Sequence, residues 1–185
     1  MTMTIGVNEA TKERIRAVRM VIFDVDGVLT DGGITIHDDG SESKTFDVKD
    51  GHGMKLLQRA GLQIALLSGR FSACVEHRAK GLGIEHVYQG FHRKLEAYEA
   101  IKASTGLKDH QIAYVGDDLI DIPVMRRVGF AVCVRDAVEH VKPFAHYITQ
   151  RDGGKGAARE ICELILNVQG LWDRVTARYV QEVLG

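Results

Sequence analysis

This 185-residue chain is poor in cysteine and proline, and both shortages exclude classes of protein. Its three cysteines, Cys74, Cys133 and Cys162, are an odd number without metal-ligand spacing, so we expect buried free thiols rather than a disulfide framework or a zinc site. The two prolines exclude a collagen-like chain, and a hydrophobic content of 45% excludes a mostly disordered one.

The chain also lacks an excess of charge and a long apolar run. Lys and Arg number 24 against 25 for Asp and Glu, so the sequence predicts no nucleic-acid partner. No stretch approaches the roughly 18 apolar residues that cross a membrane. Residues 1–20 carry acids and bases where a signal peptide needs an apolar core, so we expect a cytoplasmic protein without membrane contact.

Short apolar runs alternate with amphipathic stretches along the sequence. Four runs rich in β-branched residues predict buried strands at residues 20–23, 63–67, 111–115 and 130–134. The amphipathic stretches predict helices at about residues 52–60, 72–82, 94–104, 119–128 and 156–168. This alternation predicts an α/β fold with a doubly wound parallel sheet, and the length predicts one domain over residues 1–185.

Two segments fall outside this alternation. Residues 33–37 and 44–48 alternate around a turn signal at residues 38–41, which predicts a β-hairpin inserted before the first long helix. Residues 171–185 predict a C-terminal helix that docks on the domain or on a neighbouring subunit. Its apolar stripe consists of Leu171, Val175, Tyr179 and Val183.

Polar residues follow three of the predicted strands, at the ends where an open parallel sheet binds its ligands. They are Asp24, Asp26, Ser68, Arg70, Asp117, Asp118 and Asp121. Asp24 and Asp26 are two residues apart, so in an extended segment both side chains point the same way. Carboxylates that converge from separate strands repel one another unless a cation lies among them, and oxygen ligands suit Mg²⁺. The sequence therefore predicts a divalent metal site at this edge.

A calcium-binding loop and a nucleotide-binding loop fit these runs less well. A calcium-binding loop that starts at Asp24 needs a glycine and a glutamate where the chain has Leu29 and Thr35. The run at residues 153–156 lacks the rest of a nucleotide-binding loop and predicts a glycine turn before a helix, with amides that can also face an anion. For any single strand-end aspartate, a helix cap or a turn stays an alternative.

Four motifs in this order resemble those of the haloacid dehalogenase superfamily. They are the run Asp-Val-Asp-Gly-Val-Leu-Thr-Asp from Asp24, then Ser68, Lys94 and the run Gly-Asp-Asp-Leu-Ile-Asp at residues 116–121. Within the superfamily, the hairpin, residues 46–54 and residues 153–160 are similar to the 3-deoxy-D-manno-octulosonate 8-phosphate phosphatases. The similarity covers about residues 19–170.

The resemblance implies a phosphatase that works through an aspartyl-phosphate. It makes Asp24 the nucleophile, and it makes Asp26 the group that protonates the leaving sugar oxygen and then activates water. Lys94 and the Ser68 hydroxyl are expected to contact the phosphoryl group.

The resemblance also implies Mg²⁺ as the cofactor. Asp24, Asp117 and the main-chain carbonyl of Asp26 are expected to hold the ion. Asp118 and Asp121 are expected to orient the surroundings of the ion rather than bind it.

The implied substrate is a sugar acid phosphate, hydrolysed on the way to lipopolysaccharide. Besides Asp26 and Lys94, the residues expected to bind it are Asp47, Val48, Lys49, Asp50, Gly51, Lys55, Arg70 and Arg78. Arginine suits both the carboxylate and the phosphate of such a substrate. His52 and Lys155 differ in type from the family pattern, so a nonulosonate 9-phosphate is an alternative substrate. A sugar-binding or assembly module is the alternative outside enzymes.

The spacing of the motifs leaves no room for a separate cap domain. Asp24 and Ser68 are 44 positions apart, and Ser68 and Lys94 are 26 apart. Members of the family that the chain resembles form tetramers in which neighbouring subunits complete the site. We therefore expect a homotetramer in which the hairpin or the C-terminal helix covers a neighbour's site.

Overall fold

A computed structural model of the protein describes residues 6–181. The strands of this part are β1 (Met20–Phe23), β2 (Thr35–Ile36), β3 (Glu42–Ser43), β4 (Gln63–Leu67), β5 (His86–Tyr88), β6 (Ile112–Gly116), β7 (Phe130–Cys133) and β8 (Tyr147–Ile148). Its α-helices are α1 (Glu9–Ala17), α2 (Val48–Arg59), α3 (Ala73–Leu82), α4 (Lys94–Thr105), α5 (Ile122–Met125), α6 (Ala157–Val168) and α7 (Trp172–Gln181).

Six strands form a parallel sheet in the order β5-β4-β1-β6-β7-β8. The first strand, β1, lies in the middle of the sheet. Strands β4 and β5 extend the sheet on one side of β1, and strands β6, β7 and β8 extend it on the other side. All residues of β1 are buried, because helices flank the sheet. The predicted doubly wound α/β fold is confirmed, and its topological switch point lies between β1 and β6, where ligands of such sheets bind.

No cap domain is present among the described residues between β1 and α4. They form only the hairpin β2–β3, then α2, β4, α3 and β5. The hairpin is shorter than predicted, because β3 ends at Ser43. The second strand predicted at residues 44–48 is wrong, because β3 lies before this range and residues 44–47 form no strand. The Asp47 side chain accepts hydrogen bonds from the amides of Lys49 (2.6 Å) and Asp50 (3.3 Å) and so starts α2 at Val48.

Other elements also differ from the sequence predictions. The helix predicted at residues 119–128 is a 3₁₀ turn at Leu119–Asp121 followed by the short α5. Helix α1 and the short strands β5 and β8 were not among the predicted elements.

The C-terminal helix α7 docks on the domain of its own chain. The Tyr179 hydroxyl accepts a hydrogen bond from Arg59 and lies 2.9 Å from His52 Nε2, and both of these partners are on α2. Val175 of the predicted stripe is buried, whereas Val183 lies outside the described residues.

Helices α2 and α6 pack closely at two points. A Cβ on Gly53 would lie 3.1 Å from the Cβ of Cys162, so this position of α2 favours glycine. The N-cap of α6 is Gly156, which has no side chain to cap the helix. Asp50 of α2 replaces the missing cap, since its Oδ1 accepts a hydrogen bond from the amide of Arg159 at 2.7 Å.

We predict that this buried cap makes stability depend on pH. Burial raises the pKa of Asp50 from its ordinary range to about 6. Because the folded state binds the proton more tightly than the unfolded state, the stability contributed by Asp50 is present at low pH and is lost as pH rises through about 6. Asp50→Asn keeps the acceptor without the charge, so its stability relative to the native protein should rise by about 2 kcal/mol between about pH 4 and about pH 7.

Urea unfolding at the two pH values measures this difference. Glu85→Gln, at an exposed position just before β5, is the matched control and should show a constant difference from the native protein. A constant difference for Asp50→Asn as well would contradict the proposed ionisation.

Candidate active site

The carboxyl ends of β1 and β6 bring two aspartates together. The amide of Asp24 donates to the carbonyl of Val115 at 2.9 Å, which extends the β1–β6 ladder by one residue. Asp117 follows Gly116, the last residue of β6. Both carboxylates therefore face the switch-point crevice.

Lys94 connects Asp24 to a third aspartate. Its Nζ lies 2.8 Å from Asp24 Oδ2 and 2.6 Å from Asp121 Oδ1, and the residue is only 1% exposed. Burial by itself lowers the pKa of Lys94, but the two carboxylates outweigh it and raise the pKa overall. The buried ammonium group therefore stays charged beside Asp24.

Asp121 organises the loop that carries Asp117. Its Oδ1 accepts from Lys94 and from the Tyr114 hydroxyl (2.5 Å), and its Oδ2 accepts from the amides of Asp117 (2.9 Å) and Asp118 (3.1 Å). Both oxygens are thus already used by the protein. The Asp118 side chain accepts from the amide of Leu119 at 2.6 Å.

Three carboxylates form a cluster that fits a divalent cation. One oxygen each of Asp24, Asp117 and Asp121 lies within 4.8 Å of the others. Burial and then Asp121 raise the pKa of Asp24 to about 6, and burial and then Asp24 raise the pKa of Asp117 to about 8. Asp117 Oδ1 is buried without a hydrogen-bond partner among the described residues. Crowded carboxylates with a free, buried oxygen provide the hard ligands that Mg²⁺ prefers.

The loop after β1 passes very close to Asp117. Gly27 has φ +89°, and a Cβ there would lie 2.0 Å from Asp117 Oδ2, so both the backbone conformation and the space require glycine. Residues 153–156 pack against this loop, since the amide of Gly154 donates a hydrogen bond to the carbonyl of Val28 at 2.9 Å. The glycine run thus opens α6 as predicted and also packs against the loop.

Asp26 lies beside a lysine that sequence reasoning missed. The ammonium group of Lys44, which follows β3, hydrogen-bonds Asp26 Oδ1. Glu42, Lys44 and Phe46 are at least partly buried while Ser43 and Thr45 are exposed, so alternate residues of this arm face the domain. A lysine on the inward face of this alternation was the signal available in the sequence.

Ser68 and Arg70 follow β4 as predicted. Ser68 is buried, and its Oγ accepts from the amide of Arg70 at 3.1 Å. Arg70 Nη2 donates to Glu42 Oε2 at 3.0 Å, which places the guanidinium group against the hairpin arm.

The residues predicted to bind substrate on α2 point in several directions. Asp50 faces α6, where it accepts from the amide of Arg159. Val48 lies at the start of the helix and is 78% exposed. Gly51 lies against Arg78, whose Nη2 donates to the carbonyl of Asp47 at 3.0 Å.

Lys55 is directed away from the other predicted site residues. Its Nζ lies 3.3 Å from the position of a Cβ on Gly83, which ends α3 and precedes β5. The structure therefore brings neither Asp50 nor Lys55 to the carboxylate cluster.

Comparison with known proteins identifies close relatives. Residues 83–161 match the family model described as haloacid dehalogenase-like hydrolase. The 3-deoxy-D-manno-octulosonate 8-phosphate phosphatase of Yersinia pestis is 46% identical over 157 residues, which cover 85% of this chain and 84% of that protein. A crystal structure of the Yersinia pestis phosphatase has a TM-score of 0.89 at 44% identity and covers 90% of both chains.

A further solved structure contains ligands. It is the phosphatase of the same name from Moraxella catarrhalis, in complex with a magnesium ion, a phosphate ion and a KDO molecule. It is 39% identical to this chain with a TM-score of 0.89, and the match covers 91% of this chain and 97% of that one. Among the described residues, no helix is both long and apolar enough to span a membrane.

Proposed function

This chain belongs to the family of 3-deoxy-D-manno-octulosonate 8-phosphate phosphatases, and from this premise we propose that Asp24 is the nucleophile with which it hydrolyses that sugar acid phosphate. The protein is a phosphoric monoester hydrolase of the haloacid dehalogenase type, and its products are the free sugar acid and phosphate. The observation that supports the assignment of Asp24 is its buried carboxylate, 2.8 Å from the ammonium group of Lys94 at the switch point.

In the first step, an oxygen of Asp24 attacks phosphorus and the bond from phosphorus to the sugar oxygen breaks. The proton of Asp26 passes to the departing sugar oxygen, which leaves Asp26 as a carboxylate. The positive charge of Lys94 stabilises the negative phosphoryl oxygens, and the Ser68 hydroxyl donates a hydrogen bond to one of them.

In the second step, a water molecule attacks phosphorus and gives its proton to the Asp26 carboxylate. The bond from phosphorus to Asp24 breaks, which releases phosphate and restores both aspartates. One side chain thus serves as acid and then as base.

Mg²⁺ is the cofactor, and the carboxylate cluster fits it. Asp24, Asp117 and the main-chain carbonyl of Asp26 would hold the ion, while Asp118 and Asp121 orient their loop. When bound, Mg²⁺ supplies positive charge that offsets the repulsion between a carboxylate nucleophile and a phosphate.

Arginines and the start of α2 are assigned to the sugar acid. Arg70 and Arg78 carry the planar donor groups that suit a carboxylate, and residues 47–49 lie at the start of α2. His52 contacts Tyr179 of α7 rather than the carboxylate cluster.

The substrate assignment is tested by measuring phosphate release from a panel of sugar acid phosphates. We expect kcat/KM for the 8-phosphate to exceed that for nonulosonate 9-phosphates. A preference for a 9-phosphate would replace the assignment, and binding without phosphate release would favour a sugar-binding module.

The assembly assigned to this chain is a cytoplasmic homotetramer that takes part in lipopolysaccharide biosynthesis. Large apolar side chains are exposed on the hairpin and after β4 and β6: Ile34, Ile36, Phe71, Leu119 and Ile120. Exposed apolar surface of this kind marks interaction sites, and a neighbouring hairpin would shield the capless crevice. Light scattering should give about four times the chain mass of 20.5 kDa, whereas a monomer mass would contradict the tetramer.

A further inference from the structure

Lys44 is a buried lysine to which the proposed mechanism assigns no role. Its side chain is 1% exposed, although it follows a hairpin whose residues 31–41 are all exposed. A buried ammonium group has lost its hydration and needs carboxylate partners. Lys44 has two, since it hydrogen-bonds Asp26 Oδ1 and lies 3.9 Å from Glu42 Oε1.

The contact distinguishes the two oxygens of Asp26. Oδ1 accepts from Lys44, whereas Oδ2 has no hydrogen-bond partner in the described part of the chain. The Asp26 side chain is 21% exposed, so its carboxylate is not fully enclosed by protein. Lys44 therefore fixes one oxygen and leaves the other accessible.

We propose that Lys44 is a positioning residue that holds Asp26 so that Oδ2 faces the reacting oxygen. This inference rests on the proposed function, because it assigns the same Asp26 to proton transfer in both steps. The proton that passes to the sugar oxygen would leave from Oδ2, and a proton of the attacking water would return to Oδ2. Oδ1 accepts from Lys44 in both protonation states of Asp26, and Glu42 supplies the negative charge near Lys44 while Asp26 carries its proton. Lys44 itself forms and breaks no covalent bond.

The position of Lys44 also connects acid–base catalysis to the hairpin. Glu42 accepts a hydrogen bond from Arg70 and lies near Lys44, so one short arm contacts both Asp26 and a proposed substrate-binding arginine. Because alternate residues of the arm face inward, a shift by one residue would remove both contacts together. The hairpin must therefore pack against the domain in this register for Lys44 to contact Asp26.

Substitution of Lys44 tests the inference. Lys44→Met keeps much of the side-chain length but removes the charge. It should lower kcat for the sugar phosphate by about 10–100-fold, which is part of the contribution of general acid–base catalysis. The KM should change by less than about threefold. Lys44→Arg keeps the charge and should retain most of kcat. Lys80→Met, at an exposed position on α3, is the matched control and should match the native protein.

A rapid-mixing experiment with p-nitrophenyl phosphate separates positioning from general damage. Its p-nitrophenolate leaves without a proton, so Asp26 is dispensable for the transfer to Asp24 and is needed only for the release of phosphate. Lys44→Met should give a burst of about one p-nitrophenolate per site at a rate near that of the native protein, followed by turnover slowed about 10-fold or more.

Three results would overturn the inference in a Lys44→Met protein whose melting curve is close to that of the native protein. They are an unchanged kcat, a burst slowed as much as the later turnover, and an equal loss in Lys44→Arg. A wrong substrate assignment would be a separate result. If the native protein did not hydrolyse the sugar phosphate but did hydrolyse p-nitrophenyl phosphate, the burst experiment would still test the role of Lys44.

Discussion

Asp24→Asn is expected to lower phosphate release by about 10⁴-fold or more, because the amide cannot form the acyl phosphate on which both steps depend. The variant should remain folded, since asparagine has the same shape as the aspartate at this buried position. The substitution also removes one negative charge from a cluster in which like charges already crowd one another. The amide of asparagine keeps only one of the two acceptor contacts of Asp24, with Lys94 or with the amide of Val25. Because the two effects oppose each other, we expect a stability without metal close to that of the native protein.

Steady-state phosphate release and urea unfolding measure the two effects of this substitution. Glu85→Gln, at an exposed position just before β5 and away from the carboxyl ends of the strands, is the control and should change neither. Turnover within about tenfold of native in a folded Asp24→Asn protein would show that another group attacks phosphorus.

Lys94→Met is expected to have the second largest effect, on activity and on stability together. It removes the only ammonium group that contacts Asp24 and Asp121 in the described residues and leaves their buried carboxylates uncompensated. Breaking a buried pair in this way costs about 3 kcal/mol or more. Activity should fall by about 10²–10³-fold, because the proposed mechanism uses the same charge to stabilise the phosphoryl group.

Magnesium provides a specific test of the Lys94 prediction. The ion should stabilise Lys94→Met more than the native protein, since it replaces part of the lost positive charge and binds only the folded state. Lys102→Met on the same helix is the control, because Lys102 is a more exposed partner of Asp109 and such pairs contribute about 0–1 kcal/mol. Equal unfolding curves for the two variants would contradict the role of Lys94.

The site was predictable from sequence where a general rule of the fold applies. Asp24 and Asp117 each follow an apolar run, and the carboxyl ends of neighbouring parallel strands meet at one edge. Lys94 is different, because a lysine on the first turn of a helix ordinarily lies in solvent. Only its resemblance to a family motif marked it, and tertiary packing then buried it between two carboxylates.

Sequence reasoning did not place every residue and element, and the physical reason differs from case to case. A helix turns about 100° per residue, so residues 47–51 cannot all face one ligand, and Asp50 instead caps α6. Lys44 was overlooked because a lysine in an alternating strand is typical of an exposed face. The strands β5 and β8 contain only three and two residues, too few for a clear apolar pattern.

We expect that Asp24 and Asp117, which follow β1 and β6, bind a divalent ion together so that Asp24 can accept a phosphoryl group. The most direct test is the phosphate released from 3-deoxy-D-manno-octulosonate 8-phosphate before chelation, after chelation and after Mg²⁺ is restored. We expect rapid release, then loss to background, then recovery. An unchanged rate in the chelated protein, or no release with Mg²⁺ present, would contradict this chemistry.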